Sequence, residues 1–202
     1  MNQIKAVIFD WGGVLIEDPA PGLVEYISNA LAVSQQDYRR AYKLFESDFH
    51  TGRISEPQFW SEVCEKLNTP EPVVPSLWIE AFEAAYKPRK EMFELVSNLH
   101  KNGFKTALLS NSEKPSVEFF KQQKYDMFDL TVFSCEQGIE KPQKLIYLIT
   151  AQRLSLPPQR CVFIDDKIEC IEGADKAGLK AILFQNYSQI INELSMMALK
   201  VF

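Results

Sequence analysis

Five short apolar runs constrain this chain more than any other feature of its sequence. They occupy positions 6–9, 106–109, 130–133, 161–164 and 181–184. Each is almost unbroken, as in Val7-Ile8-Phe9 and Val162-Phe163-Ile164. A strand with one wet face alternates polar and apolar residues, whereas a strand covered on both faces does not. Between the later runs, apolar residues recur at helical spacing: Met92, Val96 and Leu99; Val117 and Phe120; Leu145, Leu148 and Ile149. Strands alternating with helices predict an α/β fold built on a parallel sheet.

The interval between the first two runs is too long for a single crossover. Four groups at helical spacing fill it: Leu23, Tyr26, Ile27, Ala30 and Leu31; Tyr38, Tyr42 and Phe45; Phe59, Val63 and Leu67; Leu77, Ala81, Phe82 and Ala85. Pro21-Gly22, Gly52, Pro57 and Pro70-Glu71-Pro72 punctuate them. The pattern predicts a four-helix insert over 17–88, with Pro88 as its return hinge. The α/β core is then expected from 1–16 and 89–202. A chain of 202 residues suits a core with a smaller insert.

Composition narrows the function classes. The formal net charge is -5 and no Lys/Arg run occurs, which argues against a nucleic-acid partner. Cys64, Cys135, Cys161 and Cys170 are scattered without a C-x-x-C pair, so neither a disulfide framework nor a zinc site is expected. No apolar run reaches the roughly 20 residues that span a bilayer. The start, Met1-Asn2-Gln3-Ile4-Lys5, lacks the pattern of a secretory signal. A cytoplasmic protein without membrane partners is expected; the oligomeric state is not legible.

In open parallel sheets, ligands bind beyond the carboxyl ends of the strands. The residues there are Asp10-Trp11-Gly12-Gly13 after the first run, Ser110-Asn111-Ser112 after the second and Asp165-Asp166 after the fourth. Lys141-Pro142 opens the helix after the third. Three carboxylates at one edge need a cation to be tolerable, and an oxygen-only donor set suits Mg²⁺. A metal and Lys141 would neutralise an arriving phosphate. Gly12 and Gly13 would let backbone amides approach it, and Ser110 would donate to it. A carboxylate nucleophile then splits hydrolysis into two steps through an aspartyl-phosphate.

These segments resemble the four motifs of the haloacid dehalogenase (HAD) superfamily, in its C1-capped subclass. Phe9-Asp10-Trp11-Gly12-Gly13-Val14-Leu15 is similar to the first, which usually reads D-x-D-G-[TV]-L. Leu109-Ser110-Asn111 resembles the second and Gly138-Ile139-Glu140-Lys141-Pro142 the third. Phe163-Ile164-Asp165-Asp166, with Glu172-Gly173-Ala174 and Ala177-Gly178, resembles the fourth. The likeness covers essentially the whole chain. It implies a Rossmann-like sheet in the order 5-4-1-2-3 with helices on both faces and a helical cap after the first strand. It implies Asp10 as nucleophile, with Lys141 as its catalytic partner. Asp10, the Gly12 carbonyl, Asp165 and Asp166 would hold Mg²⁺, and Ser110, Asn111 and Lys141 the phosphoryl group. The activity implied is Mg²⁺-dependent hydrolysis of a small phosphorylated metabolite, such as a sugar phosphate.

The chain departs from the family at Gly12, where the second aspartate normally acts as general acid and base. Losing such a group costs about 10²–10⁴-fold. A D-x-G-[NG]-V pattern resembles the subgroup that includes α-D-glucose-1-phosphate phosphatases. Good leaving groups are therefore expected to be favoured, and a phosphomutase is not. Lys167 stands where Ser or Thr is common, and Cys170 where Asn is common. Two rival functions are a 2-haloacid dehalogenase, against which Asp165-Asp166 argues, and a non-catalytic binding protein, which Gly12 keeps open. Arg53 is expected in solvent, and Trp11 either walls the site or packs in the core. His100 suits a helix end. His50 lies in the insert and carries little weight on sequence alone.

Overall fold

The computed structural model describes residues 3–201; Met1, Asn2 and Phe202, at the ends of the expected core segments, lie outside them. Five parallel strands form one sheet: β1 (Ala6–Phe9), β2 (Lys105–Ser110), β3 (Leu130–Phe133), β4 (Cys161–Asp165) and β5 (Lys180–Leu183). Their order, β3-β2-β1-β4-β5, is the expected one read from the opposite edge. Phe9 pairs with Leu108 on one side and Ile164 on the other, so the strands that carry the motifs end level.

Alternation explains the unbroken apolar runs. Val7, Phe9, Val162 and Ile164 point into one core layer, and Ala6, Ile8, Cys161 and Phe163 into the other. The outer strands depart from the expectation of burial on both faces. Leu130 and Thr131 of β3 are half-buried and Lys180 of β5 is exposed, because each edge strand has a neighbour on one side only. The fifth strand also starts one residue early, at Lys180 rather than Ala181.

Four helices separate β1 from the rest of the sheet: α1 (Ala20–Ala30), α2 (Gln35–His50), α3 (Glu56–Leu67) and α4 (Leu77–Ala85). Ser34, Ser55 and Ser76 cap the last three, each accepting from a backbone N–H in the first turn and each worth about 1 kcal/mol. Phe49 stacks on Phe59 at 4.3 Å, and Trp78 meets both edge-on. The segment leaves and returns side by side: Ile16 bridges Pro88, Glu17 N–H donates to Lys87 O, and Arg89 N–H donates to Leu15 O, both at 2.9 Å.

The remaining helices are α5 (Lys90–Lys101), α6 (Lys114–Gln122), the single turn α7 (Ser134–Gln137), α8 (Lys144–Arg153), α9 (Ile168–Ala177) and α10 (Tyr187–Met196). In α8 the buried face is not the expected one. Ile146, Tyr147, Thr150 and Ala151 are buried, while Leu145 is 55% exposed. Tyr147 takes the core position because its hydroxyl finds the Cys170 carbonyl at 2.9 Å, so its polar tip is satisfied where it is buried. No helix among the described residues is long and apolar enough to cross a membrane.

Candidate active site

The level strand ends bring the expected residues together. Asp10 follows β1 and its N–H donates to Ile164 O across the sheet. Asp165 closes β4 and is fully buried. Lys141 reaches between them, with Nζ 2.8 Å from Asp10 Oδ1 and 2.6 Å from Asp165 Oδ2. Its ammonium also lies over the Phe163 ring at 5.3 Å. Carboxylate oxygens of Asp10, Asp165 and Asp166 all fall within 4.8 Å of one another.

Three acids and one buried lysine leave an excess of negative charge. Burial pushes the Asp10 carboxyl up to about 7; Lys141 opposes this, and Asp165 and Asp166 reinforce it. Burial also raises Asp166, with Asp165 adding to it. Burial by itself would lower Lys141, but Asp10 and Asp165 outweigh it and hold the proton firmly.

The donor set fits a hard divalent cation. Asp166 Oδ1 is buried without a hydrogen-bond partner among the described residues, an expensive state for a carboxylate unless an ion meets it. Gly13 forms the cradle beside it. Its φ is +83°, and a Cβ there would stand 2.2 Å from Asp166 Oδ2. Glycine is therefore required twice over, by backbone conformation and by space.

The second-strand motif supports the lysine rather than only facing the site. Asn111 Oδ1 accepts from Lys141 N–H at 2.8 Å, and its Nδ2 donates to Lys141 O at 2.9 Å. Asn111 thus grips the lysine's backbone with both ends of its amide. Ser110 Oγ lies 2.8 Å from Ser112 Oγ in the cavity wall. Gly173 closes the back of the loop, for a Cβ there would meet Pro142 O at 2.6 Å.

His50 carries more weight in the structure than its sequence context suggests. It ends α2, and its Nε2 lies 2.8 Å from Glu113 Oε1 while Nδ1 lies 3.4 Å from Glu140 Oε2. Glu113 follows the second-strand motif and Glu140 precedes Lys141, so one imidazole ties the helical segment to both loops. Ser47 Oγ donates to Glu140 at 2.6 Å and Ser134 Oγ donates to the His50 carbonyl. Burial opposes an imidazolium here, but Glu113 and Glu140 overcome it and carry His50 up to about 9. The available signal was the pair of acids flanking the motif loops, which becomes meaningful only once the three segments meet.

Gly12 lines the same cavity. A Cβ at this position would lie 3.2 Å from Pro19 Cδ, so the proline ring takes much of the space that a side chain would use. Trp11 does both things expected of it: it lines the cavity and packs against Phe82 and Phe120 at 5.1 and 5.2 Å. The Lys167 N–H donates to Asp165 Oδ1 at 2.8 Å, and Cys170 lies buried at the cavity's edge. Arg53 is exposed and pairs with Asp48. His100, in the last turn of α5, sits near Asp129 instead of the helix carbonyls.

The family model described as haloacid dehalogenase-like hydrolase matches residues 4–178. The chain belongs to this family. Among curated relatives, acyl-CoA dehydrogenase family member 10 of Mus musculus is 29% identical over 96% of the chain, and the chain spans only 19% of that protein. Glyceraldehyde 3-phosphate phosphatase of Methanopyrus kandleri is 27% identical, with 89% of this chain and 83% of that one covered. A HAD-family enzyme of Bacteroides thetaiotaomicron, solved with magnesium and inorganic phosphate, superposes with a TM-score of 0.76 at 20% identity. That alignment covers 93% of this chain and 98% of the other, a likeness of fold.

Proposed function

We propose that this HAD-family chain is a Mg²⁺-dependent phosphohydrolase that releases phosphate from a small phosphorylated metabolite through an aspartyl-phosphate on Asp10. One observation carries the reading: Asp10, Asp165 and Asp166 converge within 4.8 Å around a buried, unpartnered Asp166 oxygen, with the Lys141 ammonium between two of the acids. The phosphatase name of the M. kandleri relative and the magnesium and phosphate in the B. thetaiotaomicron structure agree with it.

Asp10, the Gly12 carbonyl, Asp165 and Asp166 would hold the metal, which when bound would neutralise the carboxylates and the incoming phosphate. Lys141 would hold one phosphoryl oxygen, and Ser110 another. Asn111 would act by fixing Lys141. Asp10 attacks phosphorus as the ester P–O bond breaks, and water then attacks phosphorus and frees Asp10. No carboxylate stands at position 12, so the leaving oxygen takes its proton from water. This favours leaving groups that are already weakly basic. Residues 17–88 would form a cap on the core of 1–16 and 89–202, excluding bulk water from the reacting atoms.

The test is phosphate release from acetyl phosphate and p-nitrophenyl phosphate with Mg²⁺ and with chelator. Activity should need the metal and vanish in Asp10→Asn. Gly12 favours one alternative, a binding protein without turnover; absence of Mg²⁺-dependent hydrolysis across these good leaving groups would establish that alternative. Chloride release from a 2-haloacid without metal would instead point to a dehalogenase.

A further inference from the structure

The space above Asp10 is a cavity of about 390 Å³ whose two sides differ in chemistry. One side is made by Trp11, Leu23, Val24, Tyr38, Trp78 and Phe82. All six are at least nine-tenths buried in the protein, and they come from the Asp10 loop, α1, α2 and α4. Trp11 adjoins the nucleophile and packs on Phe82 at 5.1 Å.

The other side is polar, but its groups already answer one another. Lys43 pairs with Glu46, Ser47 with Glu140, and His50 with both Glu113 and Glu140. Ser116 donates to Glu113 and accepts from Trp78 Nε1. On the apolar wall, Trp11 Nε1 is a buried donor with no partner among the described residues. The Tyr38 hydroxyl makes no hydrogen bond among them either. Asp18, Lys167 and Glu169 also line the cavity but are exposed to solvent, so few buried groups are free to bind substrate oxygens. They cannot serve the several hydroxyls of a sugar, each of which loses water on entering and needs a replacement partner. An apolar group loses nothing by entry and gains with every carbon covered.

We propose that the substrate is the phosphate monoester of a compact, apolar phenol or enol, whose leaving oxygen is weakly basic as the missing carboxylate at position 12 requires. Its hydrocarbon part lies against Trp11, Leu23, Val24, Tyr38, Trp78 and Phe82. This deepens the phosphohydrolase reading and rests on it. It also replaces the sugar phosphate expected from sequence with a different leaving group for the same reaction.

The experiment tests the hydrocarbon part with primary alkyl phosphates, so that leaving-group basicity is nearly constant and the cavity decides. Cyclohexylmethyl and citronellyl phosphate are set against glucose 6-phosphate and glycerol 3-phosphate, with acetyl phosphate as a small reference. The apolar esters should exceed both polar ones in kcat/KM by at least about tenfold, since a single methylene in an apolar pocket discriminates by about 10–200-fold. Val24→Asn should shrink that ratio, and an unchanged ratio in the folded variant overturns the inference. Preference for either polar ester by the wild-type protein overturns the inference and leaves the phosphohydrolase intact; this arm needs no variant to fold. Failure to hydrolyse even acetyl phosphate overturns the phosphohydrolase reading, and the inference with it.

Discussion

Replacing Gly13 by alanine tests whether the geometry of the acidic cluster governs activity. The new methyl would start 2.2 Å from Asp166 Oδ2 and 2.3 Å from its Cγ. Ordinary carbon contacts begin near 3.5 Å, so the carboxylate must retreat by about an ångström. Misplacement on this scale costs about 10²-fold in rate. A second effect is separable from the first. Gly13 has φ +83°, and a side chain in that region costs about 1–2 kcal/mol, or a melting temperature lower by roughly 2–8 °C for a chain of this size. Gly103→Ala is the control, because Gly103 has φ +82° and nothing within 4 Å of its would-be Cβ. Both variants should melt earlier by a similar margin. Only Gly13→Ala should lose about 10²-fold in kcat/KM and need more Mg²⁺ for half-maximal phosphate release. Wild-type Mg²⁺ dependence in Gly13→Ala, or an equal loss of activity in Gly103→Ala, would refute the reasoning.

Other outcomes follow from the same contacts. In chelator, Asp10 binds its proton more tightly folded than unfolded, so its contribution is full below pH 3.8 and fades as pH rises through about 7; calorimetry should show Asp10→Asn with a flatter slope there and a higher melting temperature near pH 8. His50 works in a later window, its contribution full below about 6.5 and lost as pH rises through about 9, so His50→Gln should flatten thermal stability across that range. Lys141→Met removes the cation between Asp10 and Asp165; urea unfolding in chelator should show a loss of about 3–5 kcal/mol, with hydrolysis abolished. Gly12→Asp alone meets Pro19 and should not accelerate alkyl phosphates, whereas Gly12→Asp with Pro19→Ala should do so by about tenfold or more, as steady-state rates against leaving-group pKa would reveal.

Much of this architecture was legible because its causes are local in sequence. Unbroken runs such as Val7-Ile8-Phe9 mark strands between two core layers, and level register then puts Asp10 and Asp165 at one edge. What was not legible depends on which side chain wins a shared space. Leu145 and Tyr147 are equally plausible core residues by spacing, and the carbonyl of Cys170, distant in sequence, decides between them. The pairing of Asn111 with the Lys141 backbone is invisible in the sequence because the two lie 30 residues apart. The weight of His50 comes from Glu113 and Glu140, separated from it by whole helices and strands. The apolar wall of the cavity is equally hidden, since it gathers one or two residues from each of four segments.

The paired crossing at Leu15–Glu17 and Lys87–Arg89 has a consequence for how such a chain can diversify. Entry and exit lie one hydrogen-bonded rung apart, so the sheet experiences the whole intervening segment as a single tight loop. The entropy of joining two fixed points grows only slowly with the length between them. A longer, shorter or wholly different set of helices could be grafted across that rung without shifting Asp10 or the end of β4. Recognition and chemistry can then drift at independent rates, one exchanged wholesale and the other left in place.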